Sequence, residues 1–134
     1  MIFLDANFFI NFYVKGNENH KRAKEILKSI KGEELITSKL VIMEVITVLN
    51  VRLKKDLKLI SNVFEELNNN YKVIIDNNFY NEGFEILLRE LNKNNERIPL
   101  FDCVYMAVME DLGIREIVTF DKHFDNKETI VRLH

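Results

Sequence analysis

The chain is short of the residues that punctuate or staple a fold: in 134 residues it has one proline, four glycines, one cysteine and no tryptophan. A single thiol, Cys103, excludes an intramolecular disulfide, and its place in an apolar run marks it as buried and inert, so redox chemistry is not suggested. With so little proline and glycine there is no linker and no low-complexity tail, and no internal repeat is evident. Apolar runs long enough to span a bilayer are also missing, and Asp5 follows Met1 too closely for a cleavable leader. The expectation is a cytoplasmic protein whose mature form begins as written.

Positive charge is not in excess either. A formal net charge of −2 argues against a general nucleic-acid coat protein, which would carry a basic footprint. It does not exclude a nuclease, because metal ions in a site offset its acidic residues. Two local basic stretches, Arg52 to Lys58 and Lys93 to Arg97, are able to meet a phosphate backbone, although each also reads as a solvated helix face or polar loop. What is present is ordinary for a globular protein: 47% hydrophobic and 30% charged residues, enough for a core within one domain spanning residues 1–134.

The pattern alternates between short β-like runs and longer helical ones. Strands are predicted at Ile2–Leu4, Leu35–Thr37, Val73–Ile75, Glu116–Thr119 and Thr129–Val131. Helices are predicted at Asn7–Val14, Glu18–Ile30, Lys39–Leu53, Leu57–Asn69, Asn78–Leu91 and Pro99–Leu112. Ser38 suits an N-cap, Pro99 a first helical turn, and Gly32 and Gly113 helix C-termini. The asparagine-rich patches at 68–70 and 77–78 read as turns. Strands separated by helices imply a parallel sheet covered on both faces, with ligands bound at the carboxyl ends of its strands.

Four acidic residues interrupt or close hydrophobic segments that such a core would use: Asp5, Glu44, Asp102 and Asp121. Ionised carboxylates are costly to desolvate, and several together repel one another until a cation enters. The implied ion is Mg²⁺ or Mn²⁺, which takes oxygen ligands and substrate phosphates, and the implied chemistry is phosphodiester or phosphoryl transfer. Asp5 closes the first strand and Asp121 follows the fourth, so both fall at the ligand-binding edge. Glu44 is the only charged residue in Leu40–Leu49, and Asp102 sits in the first turn of an otherwise apolar helix. Each has a plainer reading: a strand-end turn or cap for Asp5 and Asp121, a thin solvent stripe for Glu44, and helix-dipole chemistry for Asp102. Asn7 and Thr119 stand two residues from Asp5 and Asp121, placed to support them or to serve only as a cap and a strand residue. No histidine base is required. His20 and His134 read as surface residues, and His123, after Asp121, as a loop residue more than a substrate contact.

Leu4-Asp5-Ala6-Asn7, Ser38 with Glu44 six residues later, Pro99-Leu100-Phe101-Asp102, and Thr119-Phe120-Asp121-Lys122-His123-Phe124 together resemble a PIN domain, in particular the toxin nucleases of VapBC toxin–antitoxin pairs. The resemblance covers essentially the whole chain, departing at Ala6, where small polar residues are common. It implies a three-layer α/β/α domain with a central parallel sheet of about five strands and Mg²⁺- or Mn²⁺-dependent endoribonuclease activity on an RNA substrate. It further implies frequent homodimerisation and inhibition by a small antitoxin. Asp5, Glu44, Asp102 and Asp121 match the acidic catalytic quartet, with Asp5, Asp102 and Asp121 as metal ligands and Asn7 and Thr119 as supporting polar positions. Nothing matches an appended zinc module.

The cluster Phe8, Phe9, Phe12 and Tyr13 has two readings of equal weight. One is part of an exposed patch for dimer or antitoxin contact or for stacking on RNA bases, since one short helix does not turn all four inward; the other is core. Two other classes stay open: a non-cleaving RNA- or protein-binding module of the same fold, and a receiver- or phosphatase-like domain with Asp5 as phosphoryl acceptor. The second fits poorly, because Lys122 directly follows Asp121 instead of standing alone after a late strand.

Overall fold

In the computed structural model, which describes residues 1–54 and 56–134, five parallel strands form one sheet. The chain runs β1 (Ile2–Leu4), α1 (Ala6–Tyr13), α2 (His20–Ser29), β2 (Leu35–Ser38), α3 (Lys39–Arg52), α4 (Leu57–Asn69), β3 (Lys72–Ile74), α5 (Tyr80–Asn94), α6 (Leu100–Leu112), β4 (Glu116–Val118) and β5 (Val131–Leu133). Single 3₁₀ turns at Asp76–Phe79 and Lys122–Phe124 follow β3 and β4. Lys55, within the first basic stretch, lies outside the described residues.

The strand order is β3-β2-β1-β4-β5, with Phe3 in register with Ile36 on one side and Ile117 on the other. β1 is central and flanked on both edges, so it carries no polar residue: Ile2, Phe3 and Leu4 are all buried. The chain moves outward from β1 through β2 to β3, then crosses back to β4. The order therefore reverses beside β1, and in an open parallel sheet that is where ligands bind. Helices cover the sheet in the three-layer arrangement that the sequence predicts. α1 packs on α2 and α3, α3 on α4, and α5 on α6.

α6 is the most buried helix. Residues Asp102 to Met109 are buried without a break, so the helix has no solvent stripe over that stretch. α5 approaches it so closely at Gly83 that a Cβ there would stand 2.6 Å from Val104 Cγ2 and 3.0 Å from the Val104 backbone. Ser38 caps α3 as its sequence position predicts, its Oγ accepting from Val41 N at 3.3 Å, and Gly113 closes α6 at φ +68°.

Three expectations are corrected. α5 begins after a 3₁₀ turn and continues to Asn94 instead of stopping at Leu91, because Asn95 adopts the left-handed conformation that ends it. β5 lies at Val131–Leu133, two residues later than predicted, where Val131 N donates to Arg115 O at 2.7 Å. The α1 aromatics do not make an exposed patch: Phe8 and Phe9 are fully buried, and Phe12 and Tyr13 are half-buried in the same ring cluster. Tyr71 packs edge-on to Phe9, and Glu66 accepts from the Tyr13 hydroxyl, so neighbouring elements cover the helix. Exposed apolar side chains lie elsewhere, among them Tyr80 and Phe101, which line one cleft, and Met43, Ile75 and Phe84.

Candidate active site

Asp5 ends β1 in extended conformation and turns the chain into α1, its Oδ1 accepting from Ala6 N at 2.8 Å. Its Oδ2 accepts from Thr119 Oγ1 at 2.7 Å, and the same hydroxyl oxygen accepts from Asp121 N at 3.0 Å. Asn7 Oδ1 accepts from Phe120 N at 2.9 Å. The two supporting polar residues thus knit the turn after β1 to the turn after β4, on either side of the point where the strand order reverses. Asp121 then caps the following 3₁₀ turn, accepting from His123 N at 2.9 Å.

Asp102 enters from the first turn of α6 and is 7% exposed. Glu44 enters from the second turn of α3, where Tyr105 OH donates to its Oε2 at 3.2 Å. Tyr105 is three residues along from Asp102 and therefore on the same face of α6. The start of α3 is held by Ser38 and by Asp76, whose Oδ1 accepts from Leu40 N at 3.1 Å.

Three of the four carboxylates, Asp5, Asp102 and Glu44, are raised by burial and by their acidic neighbours. Asp5 is pushed up to about 8, first by burial and then by the charges of Asp102 and Glu44, against the opposing bond from Thr119. Asp102 is pushed up to about 6 by burial and by Asp121, with His123 partly offsetting both. Glu44 is also raised, by burial first and by Asp121 last. Asp102, Asp121 and His123 each offer one donor atom within 4.8 Å of the others. A set of carboxylate oxygens with one imidazole nitrogen, crowded and short of positive charge, fits a hard or borderline divalent cation.

The structure brings all four predicted acids to one rim. It also places there two residues that the sequence pattern alone does not assign to the site, Tyr105 and His123. Both carry a signal. Tyr105 has helical spacing from Asp102, and His123 continues the two-residue spacing of Thr119 and Asp121.

A parallel α/β sheet with an acidic rim at its switch point defines the class. The sequence model of the PIN domain family matches residues 2–129, and the chain belongs to that family. Solved structures agree in fold. The Mycobacterium tuberculosis toxin VapC20, described as a sarcin-ricin loop cleaving toxin, is 25% identical with a TM-score of 0.83, over 99% of this chain and 100% of that one. VapBC2 from Rickettsia felis, solved bound to a promoter DNA fragment, is 16% identical with a TM-score of 0.71, covering 99% and 98%. A toxin–antitoxin complex from Klebsiella pneumoniae is 14% identical with a TM-score of 0.64, covering 98% and 96%. No curated protein sequence matches the chain.

Proposed function

We propose that residues 1–134 form a single nuclease domain that hydrolyses RNA phosphodiester bonds with Mg²⁺ or Mn²⁺, as the toxin of a toxin–antitoxin pair. The observation that carries this reading is the convergence of Asp5, Glu44, Asp102 and Asp121 at the switch point of a PIN fold, with Asp5, Glu44 and Asp102 raised by burial and by acidic neighbours. Asp102 and Asp121 are the residues to hold the cation directly, with Asp5 and Glu44 completing the negative cluster or placing a second ion.

When bound, the ion lowers the pKa of a coordinated water and offsets charge on the phosphate. The chain's own part is positional. Thr119 fixes the Asp5 carboxylate and the Asp121 backbone through one hydroxyl, Tyr105 orients Glu44, and the buried first turn of α6 holds Asp102 in a low-dielectric setting where each charge acts strongly.

The partners follow from the same reading. RNA is the substrate class, and the toxin–antitoxin complexes among the structural neighbours support a small antitoxin as inhibitor. A homodimer is supported by a cleft of about 360 Å³ lined by Leu40, Leu100, Val104 and the exposed rings of Tyr80 and Phe101. No helix among the described residues is long and apolar enough to cross a membrane, and the cytoplasm is the proposed location.

The decisive test incubates antitoxin-free protein with a mixed structured RNA pool in Mg²⁺ or Mn²⁺, beside an EDTA control and a folded Asp102→Asn variant. Cleavage that needs both metal and Asp102 supports the reading. RNA binding without cleavage under any metal would replace it with a non-cleaving RNA-binding module.

A further inference from the structure

We infer that His123 is a direct ligand of the divalent cation in the acidic site, supplying one imidazole nitrogen beside Asp102 and Asp121 and tilting the site toward transition metals over Mg²⁺. The inference rests on the proposed reading of the acidic cluster as a metal centre and deepens it.

The geometry is that of a ligand set. His123 Nδ1 lies 3.2 Å from Asp102 Oδ2 and 3.1 Å from Asp121 Oδ1. Donors about 2.1 Å from one octahedral ion, at right angles to each other, stand about 3 Å apart. Both separations are within a few tenths of an ångström of that value. The ring is also aimed locally: Asp121 Oδ1 accepts from His123 N at 2.9 Å, which closes the 3₁₀ turn and presents the imidazole back toward the carboxylate that caps it. In the metal-free protein the same ring nitrogen is placed to donate to either carboxylate, so the imidazole is already held at the site while its side chain stays 45% exposed.

The chemistry gives the consequence. Imidazole is a weak ligand for Mg²⁺ and a good one for later first-row divalent ions, whereas carboxylates and water serve Mg²⁺ and Mn²⁺. A site with two carboxylates and one imidazole therefore discriminates among cations that an all-carboxylate site would treat more evenly.

The test reads coordination instead of turnover. The protein is loaded with substoichiometric Mn²⁺ and measured by electron spin echo envelope modulation, beside His123→Gln, with Asp102→Asn as a control and thermal melts to show folding. The expected result is ¹⁴N modulation from a bound imidazole in the wild type that disappears in His123→Gln. By calorimetry the same substitution should weaken Co²⁺ about tenfold or more and Mg²⁺ less than about threefold. Mn²⁺ that binds through Asp102 but shows no ¹⁴N coupling, or a His123→Gln variant with unchanged Co²⁺ affinity, overturns the assignment while leaving the metal centre intact. Failure of the wild type to bind any divalent ion removes the metal centre and the assignment with it.

Discussion

The hydroxyl of Thr119 serves both turns of the acidic edge at once, donating to Asp5 Oδ2 at 2.7 Å and accepting from Asp121 N at 3.0 Å. One atom therefore sets the relative position of two acids that are 116 residues apart by number (121 − 5). Thr119→Val keeps the shape but leaves a backbone N–H and a buried carboxylate oxygen short of a partner. We expect a loss of about 1–3 kcal/mol in urea unfolding, and cleavage reduced more than stability alone would explain. Unchanged activity in a folded variant would show that the hydroxyl does not position the site.

The metal-free protein should lose stability as pH rises. Asp5 is pushed up to about 8 in the folded state and returns to about 4 when unfolded. Between those values the folded state keeps a proton that the unfolded chain has released, so unfolding becomes easier with each step up in pH until about 8. Asp102, pushed up to about 6, acts in the same direction over the lower part of that window. Urea melts in EDTA at pH 5 and pH 8 should differ by several kcal/mol, because each pH step over which the folded chain alone retains one proton is worth about 1.4 kcal/mol. Asp5→Asn should flatten the profile and be more stable than wild type at pH 8, and Mg²⁺ or Mn²⁺ should restore the wild type there.

Gly83 marks the tightest helix contact. A Cβ at this position would meet Val104 at 2.6 Å, with the Val104 backbone 3.0 Å away. Gly83→Ala is expected to cost about 2–3 kcal/mol despite the better helix propensity of alanine. Adding Val104→Ala should recover only part, because the backbone contact remains. Full recovery in the double variant would assign the strain to the Val104 side chain alone.

The exposed apolar face offers a separable test of assembly. Tyr80→Glu with Phe84→Glu places charge where both side chains are exposed, Tyr80 at 64% and Phe84 at 49%, so folding should be unaffected. Sedimentation should show a dimer becoming a monomer. A wild type that is monomeric at high concentration would remove the homodimer, and Phe12→Ser, at the half-buried aromatic cluster, should act on stability and not on oligomer size.

Much of the architecture is legible in the sequence because its signals are local. Ile2-Phe3-Leu4 followed by Asp5, Ser38 before an apolar helix, and Gly113 after one each specify an element without reference to the rest. The four acids are legible because carboxylates stand out against apolar flanks. The end of α5 is not, because it depends on Asn95 accepting a left-handed backbone, which asparagine tolerates without requiring. The burial of Phe8 and Phe9 is illegible for another reason. A helix flanked only on one side would expose part of its aromatic ring cluster, but α1 is enclosed by α2 and α3, and this enclosure is a tertiary fact. His123 does not stand out in the sequence because its role depends on Asp102, which comes from a different helix.

The bonds from Thr119 to Asp5 and from Phe120 to Asn7 span 114 and 113 residues. Contacts of such long range form late, since the loop they close must be ordered first. During synthesis, Asp5 lacks the full set of its hydroxyl clamp and its neighbours Asp102 and Asp121 until the chain has grown by more than 110 residues beyond it. A site built this way cannot assemble until the segment carrying Thr119, Phe120 and Asp121 has been made.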